Sequence, residues 1–150
     1  MKRRLSPKTA LLTCHILSGC FAAVFLLFMI LTASKDIPTT GKLLLFSALL
    51  FALVSLLRHL IGAKRPYEEK KDAPPPRRGS NDSFPSRHAY SAFFIATLTF
   101  RLSPLLSYCL FPAAILLAFL RVLGGVHHPR DVVAGAFFGV LCAIIVLVLI

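Results

Sequence analysis

Acidic residues are scarce in this chain: six Asp and Glu stand against 17 Lys and Arg in 150 residues, a formal net charge of +11. That shortage argues against a carboxylate-built metal site, and no C-x-x-C pair among the four cysteines suggests a thiolate one. No metal or other cofactor is therefore expected. Cys14, Cys20, Cys109 and Cys142 all fall inside hydrophobic runs, where packed thiols are expected rather than disulfides. Internal repeats and heptads are also missing. Outside the hydrophobic runs, too little chain remains for a separate soluble domain.

What the sequence has in excess is hydrocarbon. Hydrophobic residues make up 57% of it, with a mean hydropathy of +0.77, against about 45–50% in ordinary soluble domains. The excess lies in blocks of membrane-spanning length, for which about 20 helical residues suffice. The expected spans are Thr9–Leu31, Leu43–Ile61, Ala89–Leu102 (with a turn from Ser86), Leu105–Val122 and Val132–Ile150. Lipid forces backbone polar groups to be satisfied within each segment, so the expected fold class is all-α. The chain reads as one integral membrane helical bundle, residues 1–150, of about five transmembrane helices. MKRRLSPK precedes a run as long as a full span with no small-residue cleavage pattern after it, which points to a retained span or signal anchor. The cations cluster at span ends, which suits anionic headgroups or an anionic substrate and excludes nucleic acid as a partner.

Residues 62–85, GAKRPYEEKKDAPPPRRGSNDSFP, form a long polar loop whose prolines and charges oppose regular structure. Its acids Glu68, Glu69, Asp72 and Asp82 read as a solvated charge run. TASKDIPTTGK is a short turn, and Gly124-Gly125 with Pro129 separate the last two spans. Alternating spans then put three places on one membrane face: the end of the second span, the start of the third, and RVLGGVHHPRD, residues 121–131. Every unusual polar residue lies at one of them.

The first place is RHLIGAKRP. Arg58 and Arg65 are seven apart, nearly two helical turns, with Gly62 between them and Pro66 ending the helix. Two guanidinium forks suit a phosphate; taken alone, span-end cations snorkelling to headgroups are the stronger reading. The second is SFPSRHA. Pro85 suits a first helical turn, leaving the amides of Ser86, Arg87 and His88 outward for an anion, with the Ser86 hydroxyl, the Arg87 guanidinium and a proton-donating His88 beside them. A capped helix start with an interfacial histidine fits equally well. In the third, His127 and Asp131 are four apart, so the carboxylate can orient one imidazole nitrogen and free the other as base or nucleophile. The bland alternative is an N-capping Asp in a polar turn. Jointly, arginines to hold a dianion, one histidine to attack and one to protonate match phosphoryl transfer. His15, deep in the first span, reads as a packed or helix-bonded histidine.

These spacings resemble the type 2 phosphatidic acid phosphatase and vanadium haloperoxidase superfamily, with its K-x6-R-P, P-S-G-H and S-R-x5-H-x3-D motifs. Arg58-x6-Arg65-Pro66 carries Arg for Lys, Pro85-Ser86-Arg87-His88 carries Arg for Gly, and Leu120-Arg121-x5-His127-x3-Asp131 carries Leu for Ser. The resemblance implies His127 as a nucleophile forming a phosphohistidine, Asp131 orienting it and His88 as general acid. It implies Arg58, Arg65, Ser86 and Arg121 as phosphate ligands, with Arg87 placed beside the phosphate. His128 is off the spacing and reads as a turn residue. The hydrophobic spans exclude the soluble haloperoxidase branch. The usual membrane members have six spans, and this chain reads as five, as if the first were absent.

The implied activity is that of a metal-independent lipid phosphatase acting on phosphatidate, phosphatidylglycerol phosphate or a polyprenyl diphosphate. The alternatives are a lipid phosphotransferase and a non-catalytic binder of anionic lipids; His88, His127 and Asp131 argue against the last, since lipid binding needs only cations. The expected partners are the lipid substrate and the bilayer, and nothing in the sequence fixes an oligomeric state. A bacterial plasma membrane is the expected location. Lys2, Arg3, Arg4, Lys8, Lys64, Lys70, Lys71, Arg77, Arg78 and Arg130 share the site's face, against Lys35, Lys42 and Arg101 opposite, which turns that face to the cytoplasm.

Overall fold

The computed structural model describes residues 7–66 and 83–150. The loop acids Glu68, Glu69, Asp72 and Asp82, and the cations Lys2, Arg3, Arg4, Lys70, Lys71, Arg77 and Arg78, lie outside the described residues. Among the described residues all regular structure is helical: α1 (Pro7–Ala33), α2 (Ile37–Ile61), α3 (Arg87–Leu98) continued by a 3-10 turn (Thr99–Arg101), α4 (Pro104–Leu123) and α5 (Pro129–Leu149).

The α1–α2 connection is tighter than expected. Asp36 caps α2, its carboxylate accepting from the Thr39 amide at 3.2 Å, and Pro38 sits in the first turn. The helix therefore starts at Ile37, ahead of the polar Thr39–Lys42 stretch that had set the expected start at Leu43. Its other end also differs. Gly62 adopts a left-handed conformation (φ 57°, ψ 33°) and returns its amide to Arg58 O at 3.2 Å, so α2 stops there and not at Pro66. Arg65 lies beyond the helix, and its side of the chain is set by this turn rather than by helical periodicity.

Four of the five helices, α1, α2, α4 and α5, are long and apolar enough to cross a membrane. The third expected span is different: α3 has 12 residues, about 18 Å of helix. It is the inner helix of the bundle, burying Tyr90, Phe94, Ile95 and Leu98 along with Ala89, Ala92 and Ala96. The α3–α5 pairing is the most extensive in the bundle, with α4 and α1 also packed on α3. Gly135 and Gly139 allow it: a Cβ on either would fall 2.4 Å from a backbone oxygen of the facing segment, Ser86 O and Tyr90 O respectively. Outward, large apolar side chains such as Leu12, Leu26, Leu53, Leu105, Ile115, Phe137 and Val148 are exposed, a surface made for lipid. Cys14 and Cys142 are buried, whereas Cys20 and Cys109 are exposed on that surface instead of packed; all four are free thiols.

The alternation of ends is as expected. Leu11 of α1 packs at Gly124, at the end of α4, while Lys35, Asp36 and Arg101 line one cavity at the opposite end. The close approach of α5 makes a prediction. Gly139→Ala is expected to destabilise the protein by about 1–3 kcal/mol through overpacking. Gly41→Ala, where a Cβ meets nothing within 4 Å, should be neutral or stabilising. Thermal unfolding in detergent compares the two, and equal melting temperatures would contradict the packing described.

Candidate active site

The residues singled out in the sequence arrive from four segments at one end of the bundle. Arg58, in the last turn of α2, is buried and donates from Nη1 to Pro85 O at 3.1 Å. That bond holds the strand of chain entering α3 against α2. Arg121, in the last turn of α4, is also buried, with Cys14 of α1 against it. His127 and Asp131 follow the turn at Gly124-Gly125, where Gly125 takes φ 68°, a region that favours glycine.

Ser86 caps α3 and is fully buried, but Pro85 lies before the helix and not in its first turn. The Ser86 amide donates to Asp131 O at 2.9 Å, so it is committed to α5 and does not face outward as expected. Its Oγ is buried without a hydrogen-bond partner among the described residues. Arg87 departs from the cluster: it is exposed and lines, with His88, a cavity of about 430 Å³ whose other walls include Ser18, Phe21, Phe25, Phe51 and Leu117. A second apolar cavity of about 260 Å³ shares Phe25, Phe51, Ser91 and Ile95 with it.

The expected direct bond between His127 and Asp131 is not made. Nδ1 and Oδ2 are 3.6 Å apart, and the Ser83 hydroxyl stands between them, 3.3 Å from Nδ1 and hydrogen-bonded to Oδ2. The same Oδ2 accepts the His128 amide at 2.9 Å, which makes His128 the cap of α5 with Asp131 one turn inside, not the cap itself. On the far side of the ring, Arg121 Nη2 lies 3.3 Å from Nε2. Burial first, then the positive charges of Arg121, Arg65 and Arg58, hold the His127 imidazole far below its ordinary pKa. It is a neutral ring with its lone pair among cations.

Two residues were missed or misread in the sequence. Ser83 sits two positions before the P-S-x-H motif and carried no signal beyond being a polar residue beside it. His15, read as packed or helix-bonded, is exposed on α1 and meets His88 edge to face, ring centroids 6.4 Å apart. Among the described residues no three His, Cys, Asp or Glu side chains are grouped as metal ligands.

Apolar spans around a buried Arg–His–Ser–Asp cluster at one end define an integral membrane helical bundle with a polar, cation-rich end. The PAP2 superfamily model matches residues 40–150, and the chain belongs to that superfamily. It is 36% identical over 104 residues to the lipid A 1-phosphatases of Rhizobium johnstonii and Rhizobium etli, covering 63% of this chain. The chain spans 42% and 44% of the length of those relatives. Among solved structures it resembles Aquifex aeolicus LpxE, with a TM-score of 0.69 and 28% identity over 91% of this chain and 84% of that one. It also shares its fold with a PAP2-type phosphatidylglycerolphosphate phosphatase from Bacillus subtilis: TM-score 0.66, 23% identity, 95% of this chain and 81% of the other.

The depressed His127 pKa has a consequence for stability. In the unfolded chain the imidazole titrates near 6.5, so as pH falls the unfolded state takes up this proton first. The stability that depends on the neutral ring is complete above pH 6.5 and is lost as pH drops from there toward the folded value. Melting curves of wild type and His127→Gln between pH 8 and 5 test this. Below pH 6.5 the wild type should lose stability faster, by up to about 1.4 kcal/mol per pH unit; parallel losses would contradict a buried neutral His127.

Proposed function

We propose that this protein is a membrane lipid phosphatase that works through a phosphohistidine on His127 and needs no metal. The observation that carries this reading is the neutral His127, with Nε2 facing the Arg121 guanidinium and the charges of Arg58 and Arg65 close by. Arginines so placed would hold the non-bridging oxygens of a phosphate, with the unpartnered Ser86 Oγ as a further donor.

Once Arg121 turns to a phosphate oxygen, the Nε2 lone pair is free. Nε2 attacks phosphorus, the P–O bond to the lipid breaks, and the departing oxygen takes a proton from His88. The His88 pKa is lowered by burial and by the charge of Arg121; a bound phosphate dianion would raise it again, so that His88 takes up the proton on substrate binding. His88 then removes a proton from water, the hydroxide attacks phosphorus, and the N–P bond breaks to release phosphate and restore His127. Positive charge spread over the arginines meets the charge developing on the phosphoryl oxygens, the task that metal ions perform in other phosphoryl-transfer sites.

The substrate class is a lipid phosphate. Its tail would lie in the apolar cavities that begin at His88 and run between α1, α2 and α3. The relatives' names add lipid A carrying a 1-phosphate to phosphatidate, phosphatidylglycerol phosphate and polyprenyl diphosphate as candidates. The cation count keeps the site on the cytoplasmic face of a bacterial plasma membrane.

Phosphate release from these four lipids by the detergent-purified protein, in excess chelator, tests the proposal. Release should persist in chelator and fall by at least about 10³-fold in His127→Ala. His88→Ala should lose about 10²–10⁴-fold on lipids but much less on p-nitrophenyl phosphate, whose leaving group needs no proton. Equal inactivity of wild type and both variants on every lipid would sink the hydrolase reading; release abolished by chelator would sink its metal-free form.

A further inference from the structure

The carboxylate in the histidine pair does not reach its imidazole. At 3.6 Å, Asp131 Oδ2 lies outside hydrogen-bond range of His127 Nδ1. Ser83 fills the gap. It is fully buried, its amide is tied to Ala63 O at 2.8 Å, and its hydroxyl touches both members of the pair.

The direction of the chain of bonds follows from the other side of the ring. A guanidinium has only donors, so the nitrogen facing Arg121 Nη2, which is Nε2, presents its lone pair. A neutral imidazole has one ring proton, and it therefore sits on Nδ1. A serine hydroxyl has one proton too, and here it goes to Asp131 Oδ2. The Ser83 oxygen is then left with lone pairs toward Nδ1–H at 3.3 Å. Every contact has one donor and one acceptor only when read as Nδ1–H to Oγ, then Oγ–H to Oδ2. The second acceptor capacity of Oδ2 is taken by the His128 amide at 2.9 Å, which fixes the carboxylate in place for the serine.

We propose that Ser83 is a positioning residue of this site: its hydroxyl relays the hydrogen bond between His127 Nδ1 and Asp131 Oδ2, and so selects the tautomer whose Nε2 lone pair faces the phosphate pocket. Asp131 acts on His127 through Ser83. Removal of the hydroxyl leaves Nδ1–H without its acceptor, while the His128 amide still holds Asp131. The inference rests on the proposed role of His127 for its effect on rate, but not for its effect on the tautomer.

Two readouts test it, both on the full-length protein in detergent. The first is the ring ¹⁵N shifts of ¹⁵N-histidine-labelled protein, in which the His127 signal among the five histidines is assigned by its loss in His127→Gln. Wild type should show Nδ1 protonated and Nε2 bare; Ser83→Ala should move both nitrogens toward averaged values, and Ser83→Thr should restore the wild-type pattern. The second is hydrolysis. Ser83→Ala should lower kcat by about 10–100-fold, the range for groups that orient a ligating or reacting histidine, with KM within about twofold because Ser83 touches no phosphate oxygen; Ser83→Thr should regain most of kcat. An Nε2-protonated His127 in the wild type would overturn the proposal without any variant. So would an unchanged tautomer and kcat in Ser83→Ala, or a loss confined to KM. A tautomer change in a protein that hydrolyses no lipid would leave the Ser83 relay standing and count against the phosphatase reading alone.

Discussion

One backbone hydrogen bond sets the rest of the site: the Ser86 amide donating to Asp131 O at 2.9 Å. It joins the entry of α3 to the first turn of α5, and so brings two stretches 45 positions apart in sequence (131 − 86) into one wall. The bond requires the two backbones to meet without side chains between them. Gly135 and Gly139, one turn apart on α5, meet that requirement, since a Cβ at either would collide with the facing backbone oxygen. With α3 fixed this way, Ser83, Ser86 and His88 have no freedom to sit elsewhere relative to His127 and Asp131. Arg58, bonded to Pro85 O at 3.1 Å, closes the same entry from the α2 side.

The charge in this wall is costly in an apolar bundle. Arg58 and Arg121 are each more than nine-tenths buried, and the positive charge of Arg65 also reaches His127. Like charges crowded in a poorly solvated place repel one another and seek an anion. Burial first, and then the same repulsion, keep the proton off His127. On the proposed reading, substrate attraction and nucleophile readiness therefore share the arginines as a source, and neutralising one arginine would weaken both. Arg121 leans on the Nε2 lone pair, which on the proposed reading covers the nucleophile until a phosphate oxygen draws the guanidinium away.

The site was legible in the sequence to the extent that its chemistry resides in residue types and spacing. Arg58, Arg121, His127 and Asp131 could be named because arginine, histidine and aspartate are conspicuous between hydrocarbon runs. What the spacing could not give was conformation. Arg58 and Arg65 look like neighbours on a helix, yet a left-handed Gly62 ends α2 before Arg65. Arg87 stands inside the motif but turns to the cavity, not the cluster. Ser83 carries no sequence signal because a serine two residues before a proline reads as loop, and only the fold brings it between two side chains 44 and 48 positions away. The fold class followed from hydropathy; the shortness of α3 did not, because an inner helix shielded by its neighbours is as apolar as a lipid-facing one. The i, i+4 glycines of α5 were a readable sign of close helix packing that the hydropathy view passed over.

α1 shows how far the site extends beyond its motifs. All of this helix precedes residue 40, where the family match begins, yet two consecutive turns of it face the site. Leu11 packs at Gly124, Cys14 lies against Arg121, His15 meets the edge of His88, and Ser18 lines the cavity below. Residues 11, 14, 15 and 18 follow the i, i+3, i+4, i+7 pattern of one helical face. That face therefore serves the site and not the lipid, although hydropathy alone makes α1 look like a plain anchor. On the proposed reading the leaving oxygen sits at His88, so whatever the lipid carries next to its phosphate comes against His15 and Ser18. On that reading the motif residues act at phosphorus, which is common to every lipid phosphate. On the same reading, discrimination among lipids falls to the cavity walls outside those motifs, of which α1 contributes Ser18, Phe21 and Phe25.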